Sequence, residues 1–168
     1  MGQSTRIMPS LPFTLAELPR PDAEVERLFR RLFRAPAPDY PRHFVAYHSE
    51  GADRRLAAYV HYTAPEPGVF LIGGLSVDAS IYRRLSPEQR EAVAREGSLS
   101  RWLLEESITA LEGKRAIFAY TGDTRSRRDI EALGFARAAG AFLWVQWHAE
   151  PGEARAALIA RIEALGPF

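Results

Sequence analysis

A short polar turn that opens into an apolar helix is the part of this sequence best suited to bind an anion. The turn runs from Arg95 to Ser100, contains one glycine, and is followed by the apolar run 102–104. The first N–H groups of a helix have no partner inside the helix, and the helix dipole adds partial positive charge there. An extended apolar segment ending near Val77 precedes the turn, as in strand-to-helix phosphate sites. The predicted phosphate donors are the N–H groups of Ser98, Leu99 and Ser100.

Three arginines at the start of a later helix also suggest an anionic partner. Arg125, Arg127 and Arg128 fall in the first turns of a helix predicted over 124–133. Positive charge at a helix N-terminus opposes the helix dipole, so this placement favours a bound anion that offsets the charge. The alternative interpretation is a solvated basic face.

The composition is typical of a single water-soluble domain. The chain has 168 residues, of which 46% are hydrophobic and 26% charged, with a net charge of +1. This balance gives no reason to expect nucleic acid or an anionic membrane as a partner. Because no signal peptide or membrane-spanning run is visible, we expect a cytoplasmic protein. The chain lacks cysteine and its four histidines show no ligand spacing, so we expect neither a thiol nucleophile nor a metal site.

The predicted elements follow an α+β order. A short strand near 13–15 and a helix after Asp22, with apolar residues at 25, 28, 29, 32 and 33, come first. Then come strands 43–48, 56–63 and 69–77, the first two joined by a turn over 50–53, helices 87–96 and 100–111, strand 115–121, helix 124–133, strand 141–148 and helix 153–165.

Two features of the third strand in this series predict the shape of the sheet. Strand 69–77, the helix after Ser100 and the strand near Ile117 form a predicted parallel crossover. Gly73 and Gly74 interrupt the same strand, which predicts a β-bulge or the close approach of another backbone.

The turn at 95–100 resembles the phosphate-binding turn of the GNAT superfamily, the acetyl-CoA-dependent N-acetyltransferases, and the likeness extends over 13–148. The family pattern is Arg or Gln, two residues, Gly, one residue, then Gly or Ala. Arg95 matches the first position, while Ser98 and Ser100 replace the two small residues. Serine keeps the N–H donor but narrows the approach of a pyrophosphate.

A second motif is similar to one GNAT branch, which includes the ribosomal-protein alanine acetyltransferases. Asp123 stands where that branch has Asn, and Ile130 stands where many GNAT enzymes have a catalytic tyrosine. The matching residues are Ser126, Arg128, Glu131 and Gly134-Phe135.

The resemblance implies an acetyl-CoA-dependent N-acetyltransferase, built on a mixed, mostly antiparallel sheet with helices on both faces. It implies that acetyl-CoA lies in a V between the strands ending near Val77 and Thr121. The acetyl group would pass directly to the acceptor, a small-molecule amine or a protein N-terminus, because no cysteine can carry it. The implied cofactor-binding residues are Leu75, Val77, Arg95, Ser98, Leu99, Ser100, Asp123, Ser126 and Arg128.

Acetyl transfer needs a group that removes a proton from the amine and N–H groups that stabilise the carbonyl oxygen. By the resemblance, those N–H groups come from 75–77. Asp78, as base or amine anchor, and His61 are the catalytic candidates, with Glu66 or a chain of waters as alternatives. The alternative interpretation of Asp78 is a turn residue at a strand end, and that of His61 and His43 is a structural role within strands. The same choice, between core and acceptor pocket, applies to Tyr59, Tyr62, Trp144 and Trp147.

The chain is expected to form one domain over 1–168, with a lid-like insertion at 78–94 and a C-terminal helix in 151–168. The aromatic strand from Phe142 to Trp147 is a candidate for pairing or packing between two copies. One rival hypothesis is a CoA-binding or sensing module that has lost catalysis, motivated by Ser98, Ser100, Asp123 and Ile130. Another is an α+β protein without a CoA site.

Overall fold

A single twisted sheet organises the computed structural model, which describes residues 11–50, 53–150 and 152–168. Eight strands and five α-helices lie within these residues. In chain order they are β1 (Phe13–Leu18), α1 (Ala23–Phe33), β2 (Arg42–Glu50), β3 (Asp53–Glu66), β4 (Val69–Ile72), β5 (Ser76–Val77), α2 (Pro87–Arg95), α3 (Leu99–Ala110), β6 (Ala116–Tyr120), α4 (Thr124–Ala132), β7 (Ala136–Ala139), β8 (Leu143–Trp147) and α5 (Arg155–Ala164). Short 3₁₀ helices cover Ala79–Arg83 and Gly152–Ala154.

The strands follow the order β1-β2-β3-β4-β6-β8-β7, and β5 pairs with β3 beyond the end of β4. β4 and β6 are parallel, from Val69 opposite Ala116 to Ile72 opposite Ala119. The other strand pairs of the described sheet are antiparallel. The α+β class and the parallel crossover through α3 are therefore confirmed.

Polar caps fix where the helices around the site begin. Asp22 accepts hydrogen bonds from the N–H groups of Glu24 and Val25, which starts α1. Ser86 and Gln89 form a capping box at α2. Ser98 starts α3 and Asp123 starts α4, each accepting from the N–H group three residues later.

Helices cover both faces of the sheet, as the resemblance implied. On one face α3 buries Leu99, Leu103 and Leu104 against strand residues such as Phe44 and Tyr62. On the other face α1 packs through Val25, Leu28 and Phe29, and α5 packs through Leu158 and Ile162. Alternate strand residues point to opposite faces, so each strand contributes to both layers.

Two strand predictions need correction. The strand expected over 69–77 is divided at Gly73 into β4 and β5. β7 was not predicted, because Ala136–Ala139 has the sequence ARAA and shows no apolar alternation, being an exposed to half-buried edge strand. The turn predicted over 50–53 includes residues 51 and 52, which lie outside the described residues.

The aromatic residues whose role was left open lie mainly in the core. Tyr59, Tyr62 and Trp144 are at most 4% exposed. β8, the strand proposed for pairing between copies, lies between β6 and β7. Because both of its edges are occupied, the backbone of β8 has no free edge for a second copy.

Candidate functional site

The parallel strands β4 and β6 part at Gly73, and this opening is the centre of the candidate site. Ile72 lies opposite Tyr62 on β3, and Ser76 lies opposite Tyr59. Four residue steps on one strand therefore face three on its neighbour, which defines a β-bulge. The bulge predicted from the glycine pair is confirmed.

A cavity of about 230 Å³ occupies the gap between the separated strands. We call it the strand cavity. Phe33 of α1 and Leu104 of α3 both line it, so it reaches from one face of the sheet to the other. Its remaining lining residues are Ile72, Gly73, Gly74, Leu75, Ala119, Tyr120, Thr121, Ser126, Ile130 and Phe168. Among the described residues, the lining side chains are mostly apolar, and none of them carries a carboxylate or an imidazole.

The backbone of the bulge leaves one hydrogen-bond donor beside this cavity. The N–H group of Gly73 donates to the carbonyl oxygen of His61 over 2.9 Å, and that of Gly74 donates to the His61 imidazole. Within the described residues, the Leu75 N–H group forms no hydrogen bond. An unpartnered N–H group beside an apolar cavity can stabilise negative charge on a bound carbonyl oxygen.

His61 lies directly behind the two glycines. Its Nε2 accepts the Gly74 N–H over 3.3 Å, so the neutral ring carries its proton on Nδ1. A Cβ atom at Gly73 would lie 1.9 Å from Nε2, which explains why this position has no side chain. Burial, and to a lesser degree the neighbouring His43, lowers the pKa of His61 to about 4. The ring is therefore neutral at physiological pH.

His43 lies opposite His61 on β2 and continues the same polar layer. Its Nδ1 is 2.9 Å from the hydroxyl of Tyr59, and burial lowers its pKa. Nε2 of His43 and Nδ1 of His61 are buried without a partner among the described residues. Two neutral imidazoles thus support the bulge from the α1 face.

Asp78, the other catalytic candidate, lies at the far end of β5 and outside the strand cavity. Its carboxylate caps the 3₁₀ helix 79–83, accepting from the Ser80 N–H over 3.0 Å, and pairs with Arg31 over 3.1 Å. Burial alone would raise the pKa of Asp78, but the hydrogen bonds from Ser80 and Arg31 outweigh it and hold the pKa below its usual range. The carboxylate is therefore ionised and already bound.

The N-terminus of α3, the predicted phosphate site, is partly occupied by the chain itself. The Ser98 hydroxyl lies 3.0 and 3.1 Å from the two carboxylate oxygens of Asp129, and the Ser100 hydroxyl lies 2.5 Å from one of them. The Leu99 N–H group donates to the Tyr82 hydroxyl over 3.3 Å. Among the described residues, the N–H groups of Ser98 and Ser100 have no hydrogen-bond acceptor.

A wider cavity of about 640 Å³ lies between the N-terminal ends of α3 and α4. We call it the α4 cavity. Arg101, Arg125 and Arg128 line it together with Gly97, Ser98, Asp123, Thr124, Asp129 and Ala132. In the part of the chain that the structure describes, none of the three arginines is within 4.0 Å of a carboxylate oxygen. Unpaired guanidinium groups around a cavity are suited to bind phosphate.

Five of the nine predicted cofactor-binding residues line one of the two cavities. Leu75 and Ser126 line the strand cavity, whereas Ser98, Asp123 and Arg128 line the α4 cavity. The hydrogen bond that Asp123 accepts from the Ser126 backbone lowers the pKa of the Asp123 carboxyl.

The other predicted residues lie elsewhere. Arg95 is exposed at the end of α2 and pairs with Glu91 at 3.5 Å. Leu99 and Ser100 are buried in the first turn of α3, and Val77 is half-buried in β5. None of these four lines either cavity.

Three residues at the α3 N-terminus were not predicted. Arg101 follows Ser98 by three residues and so lies on the same side of the helix, a signal that the sequence did contain. Asp129 is 31 positions from Ser98 and Tyr82 is 17 positions from Leu99, so no local sequence pattern predicts either contact.

Two negative findings apply to the described residues. They contain no group of three or more His, Asp or Glu side chains that could hold a metal ion. They also contain no helix with the length and apolar character needed to cross a membrane.

Several solved structures that match the fold of this chain are described as acetyltransferases. The ribosomal-protein-S18-alanine N-acetyltransferase of Escherichia coli matches with a TM-score of 0.56 and 16% identity, over 84% of this chain and 97% of that one. A Desulfovibrio desulfuricans protein assigned to the GNAT acetyltransferase family matches with a TM-score of 0.53 and 18% identity, over 80% and 98% of the two chains. Arabidopsis thaliana NAA60, solved in complex with acetyl-CoA, matches with a TM-score of 0.53 and 13% identity, over 80% and 99%.

This chain therefore has the GNAT fold. No protein-family model matches its sequence. No curated protein matches it either. The similarity to these solved structures is therefore one of fold.

Proposed function

We propose that this chain is an acetyl-CoA-dependent N-acetyltransferase. The observation that carries the proposal is the parting of β4 and β6 at Gly73, which leaves a cavity through the sheet with the free Leu75 N–H group at its edge. An apolar slot with one well-placed donor fits a thioester, whose carbonyl oxygen gains negative charge during acyl transfer. The GNAT fold of the chain and the acetyl-CoA complex of NAA60 support the same substrate.

The charges around the α4 cavity support one particular orientation of bound acetyl-CoA. Its acetyl-pantetheine arm would enter the strand cavity, where Ser126 and Leu75 lie. Its phosphates would bind beside Arg101, Arg125 and Arg128. Ser126 and Arg128 lie two positions apart at the start of α4, and each lines one of the two cavities. The start of α4 would therefore contact both the pantetheine arm and the phosphates of acetyl-CoA.

In the proposed reaction the acceptor nitrogen attacks the thioester carbonyl carbon. The new N–C bond forms as the C–S bond breaks, and the proton lost by the amine is taken up by a base or by the departing thiolate. The Leu75 N–H group would stabilise the oxyanion. We propose that His61 positions that donor, because its imidazole accepts the Gly74 N–H group and so holds the peptide unit adjacent to the one that carries the Leu75 N–H group. The role of Asp78 as base or amine anchor remains a prediction, since its carboxylate is engaged by Arg31.

The acceptor class is proposed to be a small-molecule amine or a protein N-terminus. Aromatic side chains lie at the strand cavity: Phe33, Tyr120 and Phe168 line it. The centroid of the Tyr120 ring lies 6.0 Å from those of both Phe142 and Phe168, in tilted and edge-on arrangements. Phe33 and Phe142 are each almost half exposed. Exposed aromatic rings at a cavity mouth offer apolar contact to the acceptor.

The test combines binding with turnover on the full chain. Calorimetry with acetyl-CoA should give one saturable site, and a panel of amines and N-terminal peptides should release CoA thiol. Because the chain has no cysteine, a thiol-reactive dye reports released CoA without a protein background. Absence of binding at millimolar acetyl-CoA would contradict the proposal.

A second candidate function is a CoA-binding or sensing module without catalysis. Position 130 favours it, because Ile130 lines the strand cavity where many GNAT enzymes have a catalytic tyrosine, and isoleucine cannot donate a proton. CoA binding without thioester turnover across the whole acceptor panel would support this candidate instead.

A further inference from the structure

A second cluster of arginines surrounds a cavity on the α1 side of the sheet, away from the α4 cavity. This cavity has a volume of about 260 Å³, and we call it the α1 cavity. Its walls come from α1, from the start of β3 and from the 3₁₀ helix 79–83 with the residues beside it. The lining residues are Glu24, Arg27, Leu28, Arg31, Arg55, Leu56, Asp78, Ser80, Ile81 and Arg84.

The charges around the α1 cavity do not balance. Four guanidinium groups face two carboxylates, those of Glu24 and Asp78. Arg27 and Arg31 are one helical turn apart on α1, a spacing at which like charges repel. Arg55 and Arg84 reach the same cavity from other segments. Such convergence is unfavourable unless a counter-charge is present.

The ion pairs leave two of the arginines available. Asp78 is held by Arg31 at 3.1 Å and by the Ser80 N–H group, and Arg55 has only a distant partner in Asp53 at 3.9 Å. Within the described residues, neither Arg27 nor Arg84 lies within ion-pair distance of a carboxylate. Glu24 forms no ion pair in that part of the chain either, so it does not neutralise them.

The floor of the α1 cavity is apolar. Leu28, Leu56 and Ile81 are all buried core residues that contribute to the lining. Guanidinium groups at the rim and aliphatic carbon at the base match a molecule with a charged end and a short carbon body. The volume is below that of a typical drug-sized site, which favours a compact ligand.

We propose that the α1 cavity is a binding site for a compact oxyanion, carried as a carboxylate or a phosphate group on a small molecule, with Arg27 and Arg84 as its principal ligands. Guanidinium groups bind both anions through paired N–H donors. The site is distinct from the one proposed for the phosphates of acetyl-CoA, because the two cavities share no lining residue. It does not depend on acetyl transfer.

Calorimetry of the full chain with succinate and with inorganic phosphate, at constant ionic strength in chloride, tests this proposal. We expect saturable binding of at least one anion, and the tighter of the two identifies the group that the site prefers. Arg27→Gln and Arg84→Gln should each weaken that binding about tenfold, the size of one charge-assisted hydrogen bond. Inorganic phosphate can also bind in the α4 cavity, so Arg128→Gln should weaken only that second binding, and the binding that depends on Arg27 and Arg84 should persist. Anion binding that responds to Arg128→Gln alone overturns the proposal. For acetyl-CoA we expect the reverse pattern, with Arg128→Gln weakening binding and Arg27→Gln and Arg84→Gln leaving it unchanged.

Arg127→Gln is the matched control for surface charge, because Arg127 is exposed and lines neither cavity. If this variant weakens binding as much as Arg27→Gln does, the anion responds to net charge and the proposal is overturned. No saturable binding of either anion also overturns it. Should a glutamine variant unfold, Arg84→Lys keeps the charge but loses the planar fork, and we expect it to weaken binding as well.

Discussion

The strand cavity and the α3 N-terminus are the two places where acetyl-CoA is expected to bind, and the chain builds them in opposite ways. At the strand cavity, glycines leave space and the backbone leaves an N–H group unused. At the α3 N-terminus, serines stand where the GNAT pattern has small residues, and their hydroxyls are satisfied by Asp129. A glycine creates a vacancy for a ligand, whereas a buried hydroxyl requires a partner that the fold must then supply.

Gly73→Ala should have the largest effect on the strand cavity. The new Cβ atom would lie 1.9 Å from Nε2 of His61, whose ring is buried and has little room to move. We expect a loss of about 3 kcal/mol in the free energy of unfolding, the upper end of overpacking costs. Urea unfolding measures it.

Gly122→Ala is the control for Gly73→Ala. Neither glycine has a positive φ, and the nearest neighbour of a Cβ atom at Gly122 is the exposed ring of Phe142, at 3.0 Å. That ring can shift, so the cost should be small. The double variant Gly73→Ala/His61→Ala should recover part of the lost stability; equal stability of the double and the Gly73→Ala single variant would show that the clash lies elsewhere.

The pH dependence of stability should report the buried neutral state of His61. Burial lowers its pKa to about 4 from a usual 6.5, so between these values the unfolded chain binds a proton that the folded chain does not. Stability therefore rises as the pH rises through this window and becomes flat above it. Between pH 4.5 and 7.5 the contribution is about 2 kcal/mol.

In His61→Gln the free energy of unfolding should rise less between pH 4.5 and 7.5, and the difference from the parent should equal the contribution of His61. The pKa of His43 is lowered in the same direction, but His43 is present in both proteins, so the difference between the two profiles isolates His61. Parallel profiles would mean that the pKa of His61 is the same in the folded and the unfolded chain, as for a solvent-exposed ring. The comparison depends on slope, so a uniform loss of stability in the variant does not disturb it.

Arg128→Gln should weaken acetyl-CoA binding about tenfold, because one charge-assisted contact to a phosphate is lost. Arg127→Gln is its neighbour control, since Arg127 is exposed and within 3.8 Å of Glu131. Calorimetry of the two variants at equal ionic strength separates a phosphate contact from a general basic surface. If the Arg128→Gln and Arg127→Gln variants bind acetyl-CoA with equal affinity, the α4 cavity does not bind its phosphates.

Asp129→Asn should have a smaller effect on stability than Gly73→Ala, and it tests the contrast between the strand cavity and the α3 N-terminus directly. The charged carboxylate is favourable at the N-terminus of α3 and accepts from two hydroxyls, so we expect a loss of about 1 kcal/mol in the free energy of unfolding. Acetyl-CoA should bind more tightly, because one negative charge leaves the wall of the α4 cavity. Calorimetry that shows weaker binding would mean that Asp129 organises the site instead of competing for it.

Asp123→Asn is the control for the stability part of that test. Asp123 is an exposed N-cap, and asparagine caps a helix about as well as aspartate, so the free energy of unfolding should stay within about 0.5 kcal/mol of the parent.

The sequence was sufficient for features that depend on neighbouring residues. The glycine pair at 73–74 located the bulge, and the helix starts predicted at 87, 100 and 124 fall within one residue of the observed ones. In each case the physical cause, a missing side chain or a capping oxygen, lies within a few residues of its effect.

Features that depend on distant contacts were not predictable. The hydrogen bond from Gly74 to His61 depends on the exact pairing of β3 with the bulge, and the contact between Asp129 and Ser98 joins residues 31 positions apart. β7 could not be predicted because this edge strand of alanine and arginine buries too little side-chain surface to require alternating apolar residues. The α1 cavity combines three segments, so its excess of arginine is visible only after folding.

The extra residue between Ile72 and Ser76 also constrains the length of the chain at this point. Deleting one residue here would leave three steps opposite three, so Ser76 could still pair with Tyr59, but as part of a regular ladder without the bulge. The gap between β4 and β6 and the unpartnered Leu75 N–H group both depend on that bulge. Insertions and deletions, which surface loops accept readily, should therefore be rejected in this stretch even when they preserve its glycines.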